Sequence, residues 1–310
     1  MTVFFSGKIF ILLMLLSLFF REEAFSQTDF LTPSPVYNDQ RLQRTVIVEA
    51  AVGTAIFVGL NYLWYKKFPH SAFHFFNDNG EWLNMDKAGH ATTAYDIAVI
   101  QSGIMRWCGV KSGNAAWAGS TTALGFMTII EIFDGFSSQW GFSPGDMIAN
   151  MGGCFLFEGQ QLLWNDQRIS LKFSYHATIF PSYYPQELGS NFIERMFKDY
   201  NGQTYWLSGN IHSFLSSSST FPKWLNIAAG YGADGMIGAR NNPSQVDGQS
   251  IPEYKRYRQF HLSFDTDLYR INNLSPFGTT LLNVNRLLKM PAPTIEWNKV
   301  DGVREYLLYY

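Results

Sequence analysis

The chain has 310 residues, a formal net charge of −2 and 15% charged residues. Its near-neutral balance gives no reason to expect nucleic acid as a partner. Two cysteines, Cys108 and Cys154, exclude a disulfide-dense scaffold, and a mean hydropathy of −0.08 excludes a uniformly apolar multi-span transporter.

The N-terminus has the layout of a secretory signal. Lys8 precedes the apolar run IFILLMLLSLFF at 9–20, and Ala24 and Ser26 supply the small residues for cleavage before Gln27. The run is short for a bilayer span. No cysteine follows it, so lipid attachment at that point is not expected. The expected organisation is a signal peptide over 1–26, an extended lead-in over 27–43, a helical bundle over 44–168 and a β-rich region over 169–310.

Within 44–168 four helices are expected. TVIVEAAVGTAIFVGLNYLWYKK at 45–67 has Glu49 as its only charge before the lysines, which suits a membrane span or a fully buried helix. The second helix covers 85–107, with Asp86 in its first turn, where the macrodipole favours an anion. The third covers 115–134 and stops at Gly135. The fourth starts at FSPGD, with Ser143 as N-cap and Pro144 at N1, and ends near Trp164. Small residues such as Gly119 and Gly153 allow close helix approach, as in membrane bundles.

From residue 169 the pattern shifts towards alternation. In RQFHLSFDTDL, Phe260, Leu262 and Phe264 face one way, and His261, Ser263 and Asp265 the other. An aromatic last residue and about 140 residues of such sequence suit a small eight-stranded outer-membrane barrel. An antiparallel sheet packed on the helices fits as well. The fold class is therefore α+β: a four-helix bundle, membrane-embedded or soluble, followed by an antiparallel β-rich region, closed or open.

Short connections make the helices run up and down. Asp86, Glu131, Asp134 and Asp146 then fall at one end of the bundle. Asp86 with His90, Glu131 with Asp134, and Asp146 with Asn150 each share a helix face.

The pattern DKAGH at 86–90, then E-x-x-D-G, then GFSPGDMIANMGG resembles a bacterial domain-of-unknown-function family of predicted periplasmic lipoproteins. More distantly it is similar to the VanZ-like membrane family. The resemblance covers roughly 80–160 and implies a bacterial cell-envelope location. It marks Asp86, Lys87, His90, Glu131, Asp146 and Asn150 as the polar signature, with no settled activity attached.

Three readings of these residues stand. In the first, Asp86 and Asp146 stabilise helix starts, His90 pairs with Glu131 and Lys87 neutralises Asp134, so that the network fixes helix docking. In the second, His90 is a general base oriented by Asp86 or Glu131, and Lys87 holds an anionic group, in a hydrolase or transferase acting on an envelope lipid or glycan. In the third, His90, Glu131, Asp134 and Asp146 hold a divalent metal such as Zn²⁺, Mn²⁺ or Fe²⁺. A membrane lipid is the expected partner. The sequence names no cofactor and no protein partner, and leaves inner and outer membrane both open.

Overall fold

The computed structural model describes residues 31–309 except 64, 272–277, 279–281, 283 and 284. The signal segment and the terminal Tyr310 lie outside the described residues. Four long helices come first: α1 (Asp39–Leu63), α2 (Met85–Trp107), α3 (Ser112–Gly135) and α4 (Pro144–Trp164). A six-stranded antiparallel sheet follows, in the order β1 (Ile169–Tyr175), β2 (Gln203–Asn210), β3 (Leu225–Asp234), β6 (Tyr257–Thr266), β7 (Ala292–Asn298) and β8 (Gly302–Tyr309). The small hairpin of β4 (Gln245–Val246) and β5 (Gln249–Ser250) lies between β3 and β6, and two short helices, α5 (Pro185–Leu188) and α6 (Phe192–Lys198), lie between β1 and β2. The class is α+β, as expected.

The helix ends have local causes. Asn38 accepts the Arg41 N–H at 2.8 Å, which starts α1 at Asp39, inside the segment expected to be extended. Ser143 caps α4 by accepting from the Asp146 N–H at 3.1 Å, with Pro144 at the first helical position. Asn165 ends α4 in the left-handed region, its N–H on the Gln161 carbonyl. Before α2, three successive residues, Trp82, Leu83 and Asn84, all have positive φ. Side chains from the sheet hold this turn: the Tyr231 hydroxyl donates to the Leu83 carbonyl, and Arg258 donates to Asn84 Oδ1 at 3.4 Å.

The bundle packs closely through small residues. A Cβ on Gly153 would stand 2.1 Å from the Ala91 carbonyl oxygen, and one on Gly119 would stand 2.5 Å from that of Ala98. α3 and α4 therefore touch the backbone of α2 directly. Ala94, Tyr95, Ala98, Val99, Ala123, Met127, Cys154 and Phe157 form the bundle core, and Leu171 of β1 packs against it. Cys108 and Cys154 are both buried and free. Two helices, Asp39–Tyr62 and Ser112–Gly135, are long and apolar enough to cross a membrane; the first is almost wholly uncovered.

The sheet curls but does not close. Lys172 of β1 reaches Asp265 of β6 at 2.6 Å, and Thr204 of β2 meets the Tyr309 hydroxyl of β8 at 3.1 Å. In a flat sheet, β2 and β8 would lie about 19 Å apart, four strand spacings. Among the described residues β1 and β8 do not pair, and the eight-stranded barrel does not form. The chain between β1 and β2 goes into short helices, and Pro293 sits beside a register irregularity at the start of β7. The alternation in β6 is present, with its polar set inward: Gln259, His261, Ser263 and Asp265 are buried, while Phe260, Leu262 and Phe264 are exposed.

Candidate functional site

The up-and-down packing gathers the polar signature at one end of the bundle. α2 brings Asp86, Lys87 and His90, α3 brings Glu131 and Asp134, and α4 brings Asp146 and Asn150. The 74–79 loop adds Asp78, which follows from no helical spacing. Its setting, NDNG, reads as a turn.

The cluster has two adjoining parts that share Asp146. In one, the Lys87 ammonium lies 2.6 Å from Asp78 Oδ1, 2.9 Å from Asp86 Oδ2 and 2.8 Å from Asp146 Oδ1. The expected Lys87–Asp134 pairing is replaced by this arrangement. Asp134 instead accepts from the Tyr65 hydroxyl at 2.8 Å. Tyr65 lies just after α1, where an aromatic next to two lysines gives no sequence signal of that role. In the other part, His90 Nδ1 is 3.1 Å from Asn150 Oδ1 and 3.5 Å from Glu131 Oε1, and Nε2 is 3.8 Å from Asp146 Oδ2. The closest partner of His90 is thus Asn150, and the expected bond to Glu131 is too long for a hydrogen bond.

Backbone and cap bonds lock the acids in place. The Ser143 N–H donates to Glu131 Oε2 at 3.0 Å, and the Ser143 hydroxyl donates to Asp78 Oδ1 at 2.7 Å. Glu131 and Asn150 are fully buried, and Asp86 and Asp146 nearly so. Glu131 Oε1 and Asp86 Oδ1 have no hydrogen-bond partner.

Burial governs the electrostatics. It pushes the Asp146 carboxyl up to about 8, helped by its hydrogen bond to Asp78 and opposed by Lys87. It acts on Asp78 too, but bonds from Asp146, Lys87 and Ser143 bring that carboxyl below its ordinary value. It raises Asp86 against the pull of Lys87. It opposes the charge of Lys87, which Asp146 and Asp86 nevertheless hold firmly protonated. Burial also brings the His90 imidazole down to about 4, outweighing the Asn150 bond, so the ring is neutral at pH 7. With Nδ1–H donating to Asn150, the lone pair of Nε2 faces Asp146.

The carboxyls of Asp78, Asp86 and Asp146 surround the ammonium of Lys87, while Glu131 lies by His90 and Asp134 by Tyr65. One ligand atom each from His90, Glu131 and Asp146 lies within 4.8 Å of the other two, and the same holds for Asp78, Asp86 and Asp146. Ligands 2.0–2.2 Å from a tetrahedral Zn²⁺ stand about 3.3–3.6 Å apart. The 3.8 Å between His90 Nε2 and Asp146 Oδ2 is near that spacing, while the 3.5 Å to Glu131 Oε1 is measured from Nδ1, the nitrogen that bonds Asn150. Asp134, engaged with Tyr65, belongs to neither triad.

No curated protein and no solved structure matches the chain. The match found lends nothing to the VanZ-like likeness. Residues 74–158, from the loop that supplies Asp78 to Glu158 in α4, match the family described as predicted periplasmic lipoprotein (DUF2279), a family of the bacterial cell envelope.

Proposed function

We propose that this cell-envelope protein binds a divalent transition-metal cation between His90, Glu131 and Asp146. The observation that carries the reading is the pair of acid triads sharing Asp146. The first triad surrounds the ammonium of Lys87; in the second, Asp146 shares that ammonium, while the partners of Glu131 are neutral, the Ser143 N–H and His90. A buried carboxylate oxygen without a partner, Glu131 Oε1, lies within that second triad. Burial raises the Glu131 and Asp146 carboxyls to about 8, so they hold protons near neutrality, and a cation would take the place of those protons. One imidazole with carboxylates suits Zn²⁺, Mn²⁺ or Fe²⁺ rather than the all-oxygen Ca²⁺ or Mg²⁺. The amide of Asn150 orients the ring by accepting from the other nitrogen, as outer partners of metal-bound histidines do.

Acid–base catalysis on an envelope lipid or glycan has weaker support. The His90 side chain is 20% exposed while that of Glu131 is 1% exposed, so a substrate would reach the imidazole edge and little else. Use of the network for helix docking alone leaves Glu131 Oε1 unexplained.

The test is metal-dependent melting of the purified full chain in nanodiscs, with Zn²⁺, Mn²⁺ and Mg²⁺ in turn, beside His90→Ala and Glu131→Gln. A site at 100-fold its Kd stabilises by about 2.7 kcal/mol. Zn²⁺ or Mn²⁺ is expected to raise the melting temperature of the unsubstituted chain and to leave both variants unmoved. Equal response in all three chains, or none in the unsubstituted one, removes the metal reading. If both variants are unfolded without metal while the unsubstituted chain ignores metal, the network is a docking device.

A further inference from the structure

The six-stranded sheet has its polarity reversed relative to a sheet folded in water. On β2, β3, β6 and β7 the buried side carries Ser208, Asn226, His261 and Asp265, Thr294 and Glu296, and the exposed side carries Leu207, Ile227, Phe260, Leu262, Phe264, Ile295 and Trp297. Most of the inward polar set is bonded to itself, His261 excepted. Asp265 takes Lys172 at 2.6 Å and Ser208 at 2.6 Å, and Asn226 donates to Ser208 at 2.9 Å. Glu296 accepts from Gln259 at 2.9 Å, Asn298 at 2.7 Å and Tyr306 at 2.8 Å. A one-residue slip of any strand would break these bonds, so the register fixes the apolar set outward.

We infer that the outer face of this curled sheet lies in the acyl layer of one membrane leaflet. The occupant is lipid rather than a protein because the apolar residues spread over four strands, β2, β3, β6 and β7, and because apolar side chains are also exposed on the helices, at Val46, Ile47, Ile56 and Val58 of α1 and at Ile148, Phe155 and Leu163 of α4. A protein partner covers a bounded, shape-matched area with a polar rim. A fluid acyl phase covers every side without matching. Alternating strands with polar groups inside and apolar groups outside are what a lipid solvent selects.

The extent of the apolar band limits the depth. On β6 it runs from Phe260 to Phe264, next to the exposed Arg258, which is about 14 Å of strand. The hydrocarbon core is about 30 Å thick. The band therefore matches one leaflet, not two. The edge strand β8 exposes Arg304 and Glu305 beside Val303, Leu307 and Leu308, and its unpaired backbone groups need water at that edge.

The test is site-directed spin labelling of the full chain in phosphatidylethanolamine–phosphatidylglycerol nanodiscs. Labels are placed by Ile227→Cys, Leu262→Cys and Ile295→Cys, with Ser218→Cys, in the exposed turn between β2 and β3, as the aqueous reference. All four positions are on the surface, and the native Cys108 and Cys154 are buried, so the unsubstituted chain gives the background. Accessibility to dissolved oxygen relative to a water-soluble nickel chelate is expected to be several-fold higher at the three sheet positions than at Ser218. Nickel accessibility equal to that at Ser218 overturns the inference, because the face is then in water. Exclusion of both reagents overturns it as well, because a protein then covers the face.

Discussion

Both halves of the molecule bury charge, in opposite ways. Inside the sheet, Asp265 is paired with the buried Lys172 at 2.6 Å, and Glu296 accepts from Gln259, Asn298 and Tyr306. At the bundle end, Asp78, Asp86 and Asp146 share one Lys87, and Glu131 lies by the neutral His90. A matched interior can be complete with side chains alone. An interior with surplus carboxylate needs protons or a cation from outside the chain. The contrast separates a scaffold that closes on itself from a site open to a ligand.

The sharpest way to break the comparison is inside the sheet. Lys172→Met leaves Asp265 buried with one cation fewer, and should cost about 3–5 kcal/mol in urea denaturation. A neutral result would mean that charge matching does not hold the sheet interior. Next in size is Leu262→Arg on the outer face. In nanodiscs it should destabilise by about 2 kcal/mol, less than a midplane charge because the band is shallow. A face in water would change by no more than about 0.5 kcal/mol. Ser143→Ala removes the α4 cap and the donor to Asp78 together, for a loss of about 1 kcal/mol in thermal denaturation. The smallest metal-free effect belongs to Glu131→Gln. It removes a surplus charge and leaves an acceptor for the Ser143 N–H, so stability should hold within about 1 kcal/mol or rise. If it instead falls as far as in Lys172→Met, the two halves follow one rule and the contrast is lost.

Much of the bundle was legible in the sequence because its signals are local. Met85–Trp107 and Pro144–Trp164 begin and end where periodicity and capping residues put them. α1 begins earlier than its apolar run because Asn38 caps it from outside that run. The gathering of Asp86, His90, Glu131, Asp146 and Asn150 followed from helix direction and i, i+3 or i, i+4 spacing. The partners of Lys87 and Asp134 did not, since Asp78 and Tyr65 come from connecting segments whose path no periodicity describes. In the sheet, period 2 divides Phe260 from His261 but does not say which set faces inward. That choice depends on how the strands curl and on the solvent beyond them. Closure was not readable either, because it depends on strand number and on bonds between residues far apart in the chain.

The turn at Trp82, Leu83 and Asn84 ties the two halves into one mechanism. Its left-handed backbone is braced by Tyr231 and Arg258, and α2 starts two residues after Leu83 with Asp86 and Lys87 in its first turn. The sheet thus works as a splint for the acid cluster, setting the pitch at which α2 enters it. A shift of the sheet would act on the Leu83 carbonyl through Tyr231, and so on the first turn of α2.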